Sequence, residues 1–162
     1  MTERSAPLEP SAARVQEAAR GLGLAIAVRD MPASTRTAEE AAAACGVGVG
    51  QIVKSLVFTG AQSGRPYLLL VSGKNRVNEK GVAAHLGETL ARPDAAAVRA
   101  LTGFAIGGIP PFGHATPLAT YMDEELLSFD IVWAAAGTPR AVFCVDPKTL
   151  CAAVKATVIG VT

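Results

Sequence analysis

The chain has 162 residues, half of them hydrophobic and 18% charged. That length holds one domain, able to bury about two-thirds of its unfolded surface without a disulfide or a metal, and the composition excludes a disordered chain. Fifteen Lys and Arg against fourteen Asp and Glu leave a net charge of +1, which excludes a strongly basic nucleic-acid binder but not a local basic patch for the end of an RNA.

Residues 1–10, with Pro7 and Pro10, read as a flexible N-terminal arm, and residues 11–162 as the single domain. Ser11 is placed to cap a helix through Val15, Ala18, Ala19 and Leu22, stopped by Gly21 or Gly23. Leu24 to Met31 reads as a strand ended by Pro32. Thr37 and Glu40 have capping-box spacing at the start of a second helix, which Gly46, Gly48 and Gly50 stop. "QIVKSLVFTG" and "RPYLLLVSG", joined by the turn chemistry of "AQSGRP", predict a β-hairpin. "NEKGVAAHLG" and "RPDAAAVRALTG" predict two short helices, with Asp94 at the start of the second. A loop rich in Gly and Pro follows, "FAIGGIPPFGHATP". "LATYMD", "DIVWAAAG" and "RAVFCV" read as strands. Asp146 can cap a last helix with Pro147 in its first turn, and "TVIGV" adds a strand or a turn. Strands and helices alternate irregularly. That favours an α+β domain with a mixed, curled sheet and packed helices over a doubly wound parallel sheet.

No stretch has the ~20 apolar residues that span a bilayer, and the N-terminus has no apolar run of signal-peptide length. A cytoplasmic protein with no membrane partner is expected. Cys45, Cys144 and Cys151 have no metal-ligand spacing and are expected as free, buried thiols. No nucleotide-binding glycine motif occurs.

Chemistry has a few places to sit. Lys54 interrupts an apolar strand and shares a face with Ile52 and Leu56. It is either a lysine on a wet face or a cation on a pocket floor, holding a phosphate or a polarised carbonyl. Gly107 to Pro117 is either a rigid connector or a stiff loop that aims backbone N–H groups at one point. His114 could serve acid–base chemistry or be structural. Gly137, Thr138 and Pro139 read as a tight turn. Asp123 reads as an N-cap, and His85 as a surface residue. Lys74, Arg76 and Lys80, with Asn75 and Asn78, form either a solvated loop or a phosphate-contacting rim.

"QIVKSLVF", "LVSGKNRVNEKGVAAHLG", "LTGFAIGGIPPFGH" and "MDEELLSFDIVWAAAGTP", in that order, resemble the YbaK/ProX family of aminoacyl-tRNA editing deacylases. These are related to the editing domain inserted in bacterial prolyl-tRNA synthetases. The resemblance runs from about Ala38 to the C-terminus. It implies a curled, barrel-like mixed sheet with flanking helices. It also implies hydrolysis of the ester between a wrong amino acid and its tRNA, without metal or cofactor. The family's strand lysine falls on Lys54, where it engages the terminal adenosine phosphate and backbone. The family's glycine-rich loop falls on Gly107, Gly108, Ile109, Pro110 and Pro111 and positions the ester. Phe112, Gly113 and His114 continue it as substrate contacts, and Gly137, Thr138 and Pro139 border the same pocket. The partners implied are the acceptor end of an aminoacyl-tRNA and an aminoacyl-tRNA synthetase. Three rival readings remain: an inactive module of this fold that binds tRNA or synthetase, a hydrolase of a small-molecule ester or thioester, and a plain oligomeric scaffold, for which no sequence feature speaks.

Overall fold

In the computed structural model, which describes residues 7–162, the first element is helix α1 (Pro10–Gly21). Proline suits this first position because its missing N–H would have no partner there. Ser11 therefore lies inside the helix, and Glu9 takes the cap position without a side-chain bond. Part of the expected arm, residues 1–6, falls outside the described residues. Ala12, Val15 and Ala19 form the buried stripe of α1.

The expected strand from Leu24 to Met31 shrinks to β1 (Arg29–Asp30). The reason is Gln16 of α1. Its side chain donates to the Ile26 carbonyl at 3.0 Å and accepts from the Val28 N–H at 2.9 Å. Those backbone groups are satisfied without a neighbouring strand. Helix α2 (Ala38–Cys45) carries the expected capping box: Thr37 accepts from the Glu40 N–H, and Glu40 reaches back to the Thr37 N–H. Gly46 closes it in the left-handed region.

A 3-10 turn (Val49–Gln51) leads into β2 (Ile52–Gly60), which pairs antiparallel with β3 (Pro66–Ser72) as expected. Leu68, Leu69, Leu70 and Val71 have no exposed surface, so β3 is covered on both faces. Helix α3 (Glu79–Leu86) is capped by Asn78 and helix α4 (Ala95–Thr102) by Asp94. Between them the two-residue strand β4 (Leu90–Ala91) adds to β2, an element with no signal in the sequence. Strands β5 (Ala119–Asp123), β6 (Val132–Ala135) and β7 (Ala141–Val145) fall where expected. Helix α5 (Pro147–Val154), capped by Asp146, and strand β8 (Thr157–Ile159) complete the chain.

The sheet order is β1-β7-β6-β2-β3-β5-β8, with β4 off the path on β2. Pairs β2/β6, β3/β5 and β5/β8 are parallel and the others antiparallel. The sheet is mixed, with flanking helices, and it does not close: β1 and β8 are its edges. One apolar cluster, around Phe143, Leu68, Leu70 and Met122, joins one face to α1, α4 and α5. A second, around Tyr67, Leu69, Val71 and Val82, joins the other face to α3.

The hairpin turn is pinned by Glu88. Its carboxylate accepts from the Ser63 hydroxyl and N–H, the Tyr67 hydroxyl and the Gln62 N–H. These bonds, the Ser63 hydroxyl first among them, hold its pKa at about 2. Gly60 lies beneath, where a Cβ would fall 2.2 Å from that carboxyl group. A carboxylate depressed below its ordinary value of 4.5 stabilises the fold above that pH. The stabilisation fades as pH falls towards 2. Thermal unfolding of wild type and Glu88→Gln will therefore differ at pH 7 and converge only at about pH 2 and below.

Candidate active site

Strand β2 is paired with β3 along its length, but its other edge is not continuous. β6 pairs with Ile52 and Val53, β4 pairs with Thr59 and Gly60, and among the described residues no strand pairs with the stretch between. A cavity of about 680 Å³ occupies this interruption. Residues from both faces of β2 line it for that reason, Lys54 and Leu56 from one face, Ser55 and Val57 from the other.

Lys54 is part-buried there, and its Nζ donates to the Asn75 carbonyl at 2.6 Å. Burial holds its pKa below the ordinary lysine value, with Glu39 pulling the other way and Arg76 adding to the depression. Asn75 is itself fixed: its side-chain amide donates to Asp123 Oδ2 at 2.9 Å. Asp123 caps the 3-10 turn after β5 by accepting from the Glu125 N–H, as its sequence position suggested. It also accepts from the Ser72 N–H. A buried carboxylate thus holds the loop that holds Lys54.

The cavity's charge is one-sided. Lys54, Arg36, Arg76 and Arg92 line it, and among the described residues no Asp, Glu, His or Cys does. Arg92 is paired with Glu79. Of the basic loop, Arg76 reaches the cavity, while Lys74 pairs with Glu125 and Lys80 is an exposed residue outside the lining. Trp133 of β6, the chain's single tryptophan, is also in the wall.

The structure divides the glycine-rich loop. Gly107 and Ile109 line the cavity with Lys54. Gly108 lies behind them and accepts from the Gly137 N–H at 2.8 Å. Thr138 is a turn-former: its hydroxyl accepts from the N–H groups of Arg140 and Ala141. Pro139 presents its carbonyl to the Thr35 N–H and hydroxyl. Gly137, Thr138 and Pro139 therefore support the loop and do not line the cavity. Pro110 is buried, and its carbonyl accepts from His114 Nε2 at 2.7 Å. Pro111, Phe112, Gly113 and His114 line a different groove, against α1 and α5. Burial lowers the His114 pKa, with the Pro110 carbonyl opposing it. The cysteines are free and half-buried, short of full burial, and none lines the cavity. Arg36, Ser55, Arg92 and Trp133 are cavity residues that sequence reasoning did not single out.

At Gly108 an added Cβ would lie 2.9 Å from the Thr138 nitrogen and 3.0 Å from the Gly137 carbonyl carbon, both backbone. Gly108→Ala is expected to destabilise by about 1–3 kcal/mol. Thermal unfolding will show the loss, and faster amide exchange at Gly137 will place it.

The "Aminoacyl-tRNA editing domain" family profile matches residues 32–152. A solved structure described as "a putative trans-editing enzyme for prolyl tRNA synthetase" is 53% identical, with a TM-score of 0.91 over 96% of this chain and 99% of that one. The "Uncharacterized protein YwhH" of Bacillus subtilis is 31% identical over 76% of this chain and 78% of its own. The "Putative Cys-tRNA(Pro)/Cys-tRNA(Cys) deacylase EbsC" of Enterococcus faecalis is 30% identical over 62% of each chain. With the mixed open sheet, the lysine-bearing strand and the cationic cavity in place, this chain belongs to the aminoacyl-tRNA editing domain family.

Proposed function

We propose that the protein hydrolyses the ester of mischarged aminoacyl-tRNA, acting in trans on the acceptor end. The observation that carries this reading is the cavity's charge: among the described residues, four cationic side chains and no acidic one at a break in the sheet. Such a cavity suits an anionic ligand, and a nucleic-acid terminus with its phosphates is one. Lys54, Arg36 and Arg76 hold the terminal nucleotide. The loop at Gly107 and Ile109 borders the ester.

Chemistry follows from what the cavity contains. Water oxygen bonds to the ester carbonyl carbon, the bond to the ribose oxygen breaks, and that oxygen takes the proton water gives up. With no carboxylate or imidazole in the lining, the vicinal ribose hydroxyl of the substrate orients the water. Positioning and carbonyl polarisation supply the rate. Ser55 Oγ has no hydrogen-bond partner and Lys54 Nζ is turned to the Asn75 carbonyl, so the described lining offers no nucleophile–base pair for a covalent route.

The relatives' names direct the substrate search to tRNA(Pro) and to cysteine, and the choice of partner to a prolyl-tRNA synthetase. A cytoplasmic location accords with that work. No helix among the described residues is long and apolar enough to cross a membrane. The test is a deacylation panel with tRNA(Pro) charged with alanine, cysteine, serine, threonine and proline. Loss of one mischarged species with the proline ester spared supports the reading. Survival of every ester, with synthetase present as well as absent, overturns it. Trp133 gives a second readout, because the single-stranded 3′ end of an acceptor-stem mimic entering the cavity will change its fluorescence.

A further inference from the structure

The break in the sheet has a register. Gly73 donates its N–H to the Ile52 carbonyl at 2.7 Å, and Gly60 donates to the Arg65 carbonyl at 2.9 Å. In an antiparallel ladder this alternation turns the N–H and C=O groups of Ile52, Lys54, Leu56, Phe58 and Gly60 towards β3. Those of Val53, Ser55, Val57 and Thr59 turn the other way. Val53 meets β6 there and Thr59 meets β4. Among the described residues, no strand meets Ser55 or Val57 on that side, and both line the cavity.

Both ends of the break have a chemical cause. The pairing of Thr59 with Ala91, continued by one step of the ladder, sets Val57 opposite Pro93, which has no N–H to give. At the other end β6 turns away. Its pairing with β2 stops at Ala134, and the Gly137 N–H, which would continue towards β2, goes to the Gly108 carbonyl. Ser55, between the two ends, is left with a free main-chain donor and acceptor on one side. Its Oγ is also buried without a hydrogen-bond partner.

An aminoacyl ester is chemically one residue of a strand. Its α-nitrogen and its carbonyl oxygen hang on the same α-carbon, as the N–H and C=O of a partner residue do in a hydrogen-bonded pair. We infer that the free edge at Ser55 reads the aminoacyl group as a missing strand residue. The substrate's α-ammonium donates to the Ser55 carbonyl, and the Ser55 N–H donates to the ester carbonyl oxygen. The second bond strengthens as negative charge gathers on that oxygen when water adds. The side chain of the bound amino acid then lies on the Ser55 face of β2, beside Val57, Val98 and Ile109. Those neighbours fit a small uncharged side chain. The substrate class is therefore an L-aminoacyl ester with a free α-amino group. The inference rests on the deacylase reading and adds to it which atoms are read.

Two comparisons test it. In the first, one mischarged tRNA is offered with its α-amino group free or acetylated, each rate divided by the spontaneous hydrolysis of the same ester. In the second, the Lys54–Ser55 amide is replaced by an ester, using the α-hydroxy acid analogue of serine. That removes the Ser55 N–H and keeps the side chain. A backbone ester at Leu69 is the control, because its N–H faces β2 within the ladder, away from the cavity. The expected result is about a hundredfold lower kcat/KM with the ester at Ser55. Its unfolding temperature should stay close to wild type. The Leu69 ester should lower the unfolding temperature and leave kcat/KM of the folded protein within about twofold. The acetylated substrate should show no normalised acceleration. If wild type accelerates both substrates alike, or the Ser55 ester keeps wild-type turnover, edge reading is wrong while the deacylase reading stands. If wild type accelerates neither, the deacylase reading itself fails.

Discussion

Lys54→Ala should lower kcat/KM for deacylation by about 10²–10³-fold, the size seen when one preorganised charge-stabilising donor is removed. Its unfolding free energy should move by no more than about 1 kcal/mol, because the side chain is only part-buried and makes one hydrogen bond. Three further readouts separate the roles a cation could play. A phosphate anchor contributes to binding, so KM should rise, and the salt dependence of binding to the single-stranded 3′ end of an acceptor-stem mimic should fall by roughly 0.7 in slope for one lost contact. Lys54→Arg keeps the charge but cannot place a compact ammonium at the Asn75 carbonyl. It should restore the salt slope and only part of the rate. Full activity of Lys54→Ala would remove Lys54 from the site and with it the reason for placing the terminal phosphate in this cavity.

The sequence made Lys54 visible because a strand has a two-residue period, and a lysine between Ile52 and Leu56 breaks it. It made the β2–β3 hairpin visible through two runs rich in apolar and β-branched residues joined by a turn sequence, and the starts of α2, α4 and α5 through Thr37, Asp94 and Asp146, whose caps are local hydrogen bonds. Interactions between distant segments were not legible. β1 is short because Gln16 satisfies the backbone ahead of it. β4 is two residues that gain meaning only beside Thr59 and Gly60. The cavity exists because two strands abandon β2 at different points, and neither departure is written near Ser55. The glycine-rich loop shows the limit most clearly. Gly107 and Ile109 face the cavity, while Pro111 to His114 face a groove against α1 and α5. Consecutive residues in a loop without a period give no sign of which side each takes.

Asp123 illustrates how a correct local reading can miss the larger role. It does cap the turn before Leu126, through Oδ1 and the Glu125 N–H at 3.0 Å. Its other oxygen accepts from the Ser72 N–H at 3.1 Å and the Asn75 amide at 2.9 Å, and the residue is 2% exposed. Three donors converge on two carboxylate oxygens. Asparagine has one acceptor oxygen, so its NH₂ must face at least one of those donors. Asp123→Asn is therefore expected to cost about 2–3 kcal/mol, the desolvation penalty of a buried donor left without a partner. For a chain of this size that lowers the unfolding temperature by roughly 5–10 °C. Activity should fall as well, measured well below the unfolding transition, because Asn75 loses the group that fixes it beneath Lys54. The pair distinguishes support of the site from general loosening. If Asp123 acts through Asn75, the effects of Asp123→Asn and Asn75→Ala on kcat/KM will not add, and the double variant will resemble the worse single one. Additive losses would mean that the two act separately and that Asp123 serves the fold alone.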